Sequence, residues 1–79
     1  MAEHVVTLQA NEEFITVGQL LKEVGAIQTG GQAKWFLREH PVVVDGTPED
    51  RRGRKLSAGT TVTVPGSGVV TVTAAPHVS

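Results

Sequence analysis

The residues best suited to chemistry in this chain are basic and clustered. Residues 51–55 (Arg-Arg-Gly-Arg-Lys) contain four of the seven Lys and Arg side chains, and residues 34–55 contain six of the seven. The net charge of the whole chain is nevertheless −1, because acidic residues outnumber basic ones elsewhere. A local cluster sets the field that a polyanion meets more than the total charge does. The cluster therefore favours a phosphate-binding surface, with a merely solvated loop as the alternative.

The other polar residues do not form a pattern typical of an enzyme or a metal site. The chain has three histidines, which are His4, His40 and His77. Their spacing is not that of metal ligands, and the serines lack the sequence context of a nucleophile. Glu49 and Asp50 precede the basic residues, so we expect local ion pairs there rather than an acid–base pair. The absence of cysteine excludes disulfides, thiolate metal sites and a cysteine nucleophile.

Length and composition limit the protein to one small domain. The chain has 79 residues, of which 39% are hydrophobic and 19% charged, as in a globular protein. No apolar run approaches the roughly 18 residues of a membrane helix, and the N-terminus lacks the layout of a signal peptide. We therefore expect a cytoplasmic, monomeric binding protein. We expect no enzymatic activity, cofactor, metal, membrane association or small-molecule substrate.

Two capping signals predict two short helices. Residues 16–19 (Thr-Val-Gly-Gln) have a hydroxyl at the N-cap and a glutamine three residues later, which is the capping-box pattern. Gly25 follows at the position of a left-handed C-terminal residue, so the first helix is predicted over residues 17–24. Residues 29–32 (Thr-Gly-Gly-Gln) repeat the capping pattern, and Pro41 ends the second helix.

The second helix carries several candidate binding residues. Lys34 and Arg38 are four residues apart and lie on one flank, away from the apolar face. Gly30 and Gly31 could present backbone N–H groups to a phosphate, or could serve only the helix cap, and they do not belong to a P-loop pattern. Trp35 either packs against flanking strands or stacks on an exposed base. The residues alone leave both pairs of alternatives open.

The remaining segments predict strands. Short β-branched runs lie at residues 4–9, 42–44, 61–64 and 69–73. A strong turn signal at Asp45 and Gly46 follows the second run, and the polar residues 47–55 are expected to form a loop. The order of strand, two helices and three strands predicts an α+β fold in which two short helices pack on a small, mostly antiparallel sheet.

Several segments in this order resemble one known family. They are TVGQLLKEVGAI, the TGGQAK that begins the second helix, a strand ending in V-D-G, and RRGRKL before an A-G turn. They resemble the RNA-binding domain named after ribosomal small-subunit protein S-four, the alpha-L motif, in its small stand-alone bacterial YaaA/YbcJ-like branch. The resemblance covers about residues 13–64. The strands at 4–9 and 69–73 lie outside it.

The resemblance implies that residues 1–79 are a single RNA-binding domain, whose surface combines the second helix with the loop at 47–55. Carried over by position, the RNA-binding residues are Gln32, Lys34, Arg38, Arg51, Arg52, Arg54 and Lys55. Gly30, Gly31 and Trp35 are further candidates. The family usually has an acidic residue near position 60, where this chain has Thr60. The expected partner is structured RNA, ribosomal or otherwise related to translation, contacted mainly through its shape and phosphates.

Two alternatives belong to other functional classes. The segments TVGQLLKEVG and VVVDGTPED also resemble β-grasp sulfur carriers, which activate a C-terminal Gly-Gly. This chain ends in Pro-His-Val-Ser, so we do not expect that chemistry. The other alternative is a protein–protein adaptor that uses the exposed edge of the last strands. The sequence does not identify the RNA or the pathway.

Overall fold

The structure is a computed structural model that describes residues 3–9 and 11–75. These residues form two helices and seven strands, which in chain order are β1 (Glu3–Leu8), β2 (Ile15–Thr16), α1 (Val17–Glu23), α2 (Gly30–Glu39), β3 (Val42–Val44), β4 (Thr47–Glu49), β5 (Lys55–Leu56), β6 (Thr61–Val64) and β7 (Gly68–Ala74). The first predicted helix and the four predicted strands are all present, within one residue at either end. His77 and the chain ends lie outside the described residues.

The main sheet has five strands in the order β1-β7-β6-β3-β4. Its neighbouring strands are antiparallel except for β1 and β7, which run parallel with Glu3 opposite Val69 and Leu8 opposite Ala74. Strands β2 and β5 form a separate antiparallel pair. The predicted α+β fold with a mostly antiparallel sheet is confirmed. Because β1 pairs with β7, the edge of the last strand is covered, and an adaptor that uses that edge is excluded.

One hydrophobic core joins the helices to one face of the sheet. In β6, Val62 and Val64 are buried, whereas the alternate residues Thr61 and Thr63 are exposed, as the period of two in a strand requires. The helices contribute apolar side chains that are fully buried in the same core, namely Val17, Leu20, Leu21, Ala33 and Leu37. No helix in the described part of the chain is long and apolar enough to cross a membrane.

Both helices begin at the predicted capping residues. At α1, Gln19 N donates to Thr16 Oγ1 at 3.3 Å, and Thr16 N donates to Gln19 Oε1 at 2.9 Å. At α2, Gln32 Oε1 accepts hydrogen bonds from the backbone N–H groups of Thr29 at 3.0 Å and Gln28 at 2.7 Å. These bonds satisfy amides that a helix terminus otherwise leaves without partners.

The prediction that residues 47–55 form one loop is wrong. Asp45 and Gly46 both have positive φ angles, 47° and 87°, which is the geometry of a two-residue hairpin turn. The chain therefore reverses at once, and Thr47–Glu49 pairs with β3 as strand β4. Pro48 is tolerated in β4 because this strand lies at the edge of the sheet. Lys55 belongs to β5, so only residues 50–54 form a loop, which we call the arginine loop.

Candidate functional site

The arginine loop is anchored by a buried carboxylate at the end of β4. Glu49 is 7% exposed. Its Oε2 accepts hydrogen bonds from Nε of Arg51 at 3.1 Å and from the Arg51 backbone N at 3.2 Å. Its Oε1 accepts from Arg51 Nη2 at 3.3 Å and from Arg54 Nη1 at 3.1 Å. One carboxylate therefore fixes the positions of two guanidinium groups that both reach the surface.

These bonds also set the protonation state of the anchor. The hydrogen bond from the Arg51 side chain is the largest cause that lowers the pKa of Glu49 from 4.5 to about 2, although burial acts in the opposite direction. The same contact raises the pKa of Arg51. The expected local ion pair is thus present at Glu49, with Arg51 and Arg54 as partners. Among the described residues, Asp50 forms no such pair.

The backbone of the arginine loop is bonded to the start of α1. Gly18 N donates to the carbonyl oxygen of Arg52 at 3.0 Å, and Val17 N donates to that of Arg54 at 3.0 Å. Both donors belong to the first turn of α1, where helical amides have no partner within the helix. Within the loop, Arg54 N donates to the Arg51 carbonyl at 3.3 Å. The Cα positions from which the arginine side chains extend are therefore held by the fold.

Gly18 is the point where the arginine loop approaches α2. A Cβ atom at this position would lie 3.5 Å from the Arg52 carbonyl oxygen and 3.7 Å from Cβ of Ala33. A shallow groove of about 420 Å³ runs along this junction, and its lining includes Lys22, Gly30, Arg52 and Gly53. The predicted residues Gly30 and Arg52, twenty-two positions apart in the chain, therefore face the same groove.

The helical cations continue from this groove. Gly30, Lys34 and Arg38 are separated by four residues, so they form one row along α2. Lys34 and Arg38 are exposed, and Gly30 is the member of the row that lines the groove. Residues 51–55 also line an open depression of about 700 Å³. The structure thus brings Gly30, at the start of the helical row, and Arg52 of the arginine loop to one groove.

Two exposed aromatic rings lie against these cations. Trp35 is 60% exposed, with Lys34 Nζ 6.0 Å and Arg38 Cζ 5.8 Å from its ring centroid. The alternative that Trp35 packs against the flanking strands is therefore wrong. Phe14 is 40% exposed, and Lys55 Nζ lies 4.9 Å from its ring centroid. These distances are within the range of cation–π contacts.

Two residues of this region were missed by the sequence reasoning. Lys22 lies outside the basic cluster at residues 34–55, but it lines the groove together with Arg52. The signal for Lys22 is its position one turn after Gly18 on α1. For Phe14 there is no local signal, because a phenylalanine next to a strand is usually a core residue.

The remaining predicted residues have more limited roles in the structure. The side-chain oxygen of Gln32 is occupied by the cap of α2, which leaves its NH₂ group as the free donor. Gly30 and Gly31 begin α2, and a Cβ atom at either would meet no atom within 4 Å. Across residues 3–9 and 11–75, no group of three or more His, Asp or Glu residues could hold a metal ion.

Comparison with known sequences defines the class of protein to which this geometry belongs. The S4 domain model matches residues 8–73, and the chain belongs to the S4 domain family. One relative is the "Probable ribosome maturation protein RlbA" of Bacillus subtilis (strain 168), which is 51% identical over 61 residues. That match covers 77% of this chain and 86% of the relative. The resemblance inferred from the sequence motifs is confirmed.

Proposed function

We propose that the protein is an RNA-binding module, not an enzyme, which binds structured ribosomal RNA in the cytoplasm. The surface that binds RNA, called here the basic surface, consists of Gln32, Lys34, Arg38, Arg51, Arg52, Arg54 and Lys55. Gly30 and Gly31, at the start of α2, are further candidates for this surface. The observation that carries the proposal is the buried Glu49, which anchors Arg51 and Arg54. They belong to the arginine loop, whose Arg52 lines one groove with the start of α2.

The chemistry of the basic surface suits phosphates better than base edges. Guanidinium groups form paired, charge-assisted hydrogen bonds with phosphate oxygens, and their geometry is partly fixed when the side chain is already anchored. The first turn of α2 adds backbone N–H groups at Gly30 and Gly31. The open space above both glycines leaves room for an RNA backbone to approach. Recognition would therefore depend on RNA shape and on phosphate spacing.

The class of RNA is inferred from the relative. RlbA is named as a ribosome maturation protein, and it shares half of its residues with this chain over the matched region. Membership of the S4 family likewise favours RNA binding over the sulfur-carrier alternative. We therefore propose ribosomal RNA, at a junction or other folded element, as the target. A monomeric state remains a prediction.

Ultraviolet cross-linking in the native cells, followed by sequencing of the attached RNA, tests this proposal. We expect reads concentrated at one or a few folded sites in ribosomal RNA. A double variant, Arg38→Ala with Arg52→Ala, should lose these reads at equal protein abundance. The proposal is overturned if the intact protein yields no more RNA than the double variant, or if its reads spread evenly over messenger RNA.

A further inference from the structure

A third concave feature lies beside Trp35, on the side of α2 away from the groove that Gly30 lines. An open pocket of about 530 Å³ lies between α2 and the turn that joins the two helices. Its walls include Gln28, Gln32, Trp35 and Phe36, together with residues 25–27. This volume falls within the roughly 300–1,000 Å³ typical of small-ligand sites, so a single nucleobase fits. We call this feature the Trp35 pocket.

Helical geometry places the Trp35 pocket next to the cations but not among them. At 100° per residue, Lys34 and Arg38 lie on one side of Trp35, whereas Gln32 and Phe36 lie on the other. Cation–π contacts hold both cations near the indole. A nucleotide that crossed Trp35 would therefore meet positive charge on one flank of this residue and a neutral, partly apolar pocket on the other flank.

The lining of the Trp35 pocket matches a nucleobase chemically. An exposed indole offers a flat surface on which any base can stack. Gln28 and Gln32 are exposed amides at the same pocket, and the NH₂ group of Gln32 is free to donate to a base edge. A base inside a continuous duplex cannot reach such a surface, because both of its faces are already stacked.

We propose that the Trp35 pocket binds one unpaired RNA base, which stacks on Trp35 while the phosphates beside it contact Lys34 and Arg38. This inference rests on the proposed RNA-binding function and deepens it. It narrows the target from structured RNA in general to RNA that exposes a base at a bulge or junction next to a paired stem.

The chain contains a single tryptophan and no tyrosine, so tryptophan fluorescence reports on the surroundings of Trp35 alone. Three RNAs serve as probes: a blunt-ended, fully paired duplex, the same duplex with one bulged uridine, and the same duplex with an abasic residue at the bulge. We expect the bulged uridine to quench the fluorescence and to bind about 5- to 100-fold more tightly than the other two. The abasic control separates base stacking from a mere bend in the RNA.

Two variants complete the test by anisotropy with labelled RNA. Trp35→Ala should abolish the preference for the bulged uridine, while the paired duplex still binds in a salt-dependent manner. Val5→Ala shortens another exposed apolar side chain, in β1, and should keep the preference. Thermal melts of both variants check that they fold.

The outcomes distinguish this inference from the function on which it rests. Equal affinity for all three RNAs with unchanged fluorescence, or a preference that persists in Trp35→Ala, overturns the base pocket and leaves RNA binding standing. Failure of all three RNAs to bind in a salt-dependent manner overturns both proposals. Quenching and tighter binding confined to the bulged uridine support the inference.

Discussion

Removing the negative charge of Glu49 should weaken RNA binding, even though it makes the basic surface more positive. In the structure this carboxylate accepts four hydrogen bonds from Arg51 and Arg54, three of them from guanidinium groups. Glu49→Gln keeps the shape of the side chain but can accept fewer of these bonds and lacks the charge. Both arginines then become free to adopt other rotamers, and RNA must order them when it binds.

Two effects of opposite sign set the size of the change. Ordering two freed arginine side chains on binding weakens the affinity by about 5- to 100-fold in total. Losing one negative charge several ångströms from the phosphates strengthens the affinity by about threefold in water, and by less at physiological salt. The first effect is larger, so we expect Glu49→Gln to bind RNA about 2- to 30-fold more weakly.

The matched control is Glu39→Gln at the end of α2. It removes the same charge from an exposed residue that forms no ion pair among the described residues. Fluorescence anisotropy with one labelled RNA hairpin should show unchanged or slightly tighter binding for this variant. If Glu49→Gln also binds more tightly while its melting curve shows a folded protein, the anchored loop is unnecessary and this reasoning is refuted.

Three further predictions concern stability and the first turn of α2. Gly31→Ala should raise the free energy of unfolding by about 0.5 kcal/mol, because no neighbour obstructs the added methyl group, and should weaken RNA binding if the RNA backbone approaches there. Thermal melts measure the change in stability and anisotropy measures the change in affinity. A lower melting temperature would contradict the first expectation. Leu37→Ala should lower the free energy of unfolding in urea by about 2–5 kcal/mol, because Leu37 is fully buried. A decrease of less than about 1 kcal/mol would contradict the position of Leu37 in the core. The pKa of Glu49 is about 2 in the folded protein and 4.5 ordinarily, so its contribution to stability is complete above about pH 4.5 and is lost as the pH falls towards 2. Glu49→Gln should therefore flatten the plot of unfolding free energy against pH in that range. An unchanged plot would show that the carboxylate is not ion-paired.

The features that the sequence predicted correctly are those encoded by neighbouring residues. The caps at Thr16 and Thr29 depend on a glutamine three positions later, and Pro41 limits α2 in the same local way. The turn at Asp45 and Gly46 was also recognised. Its consequence was missed, because a strand that contains Pro48 and ends in a carboxylate does not follow the usual apolar alternation of strands.

The parts of the site that escaped prediction depend on tertiary contacts. Glu49 can be buried only because Arg51 and Arg54 both reach its carboxylate, and no spacing rule for a loop implies that arrangement. Lys22 reaches the groove because the arginine loop is bonded to the start of α1. The exposure of Trp35 follows from how α2 packs on the sheet, which periodicity alone left undecided.

The most direct test of the central claim is the salt dependence of RNA affinity. If the basic surface neutralises about five phosphates, a plot of log K against log salt should have a slope near −4, so affinity falls by about two to three decades between 50 and 200 mM salt. Arg52→Ala should reduce the magnitude of the slope by about 0.7–0.9. Thr63→Glu lowers the net charge by the same one unit as Arg52→Ala, but on the exposed face of the sheet opposite the core. This variant should leave the slope unchanged. Affinity that does not depend on salt, or an Arg52→Ala slope equal to that of the intact protein, would contradict the account.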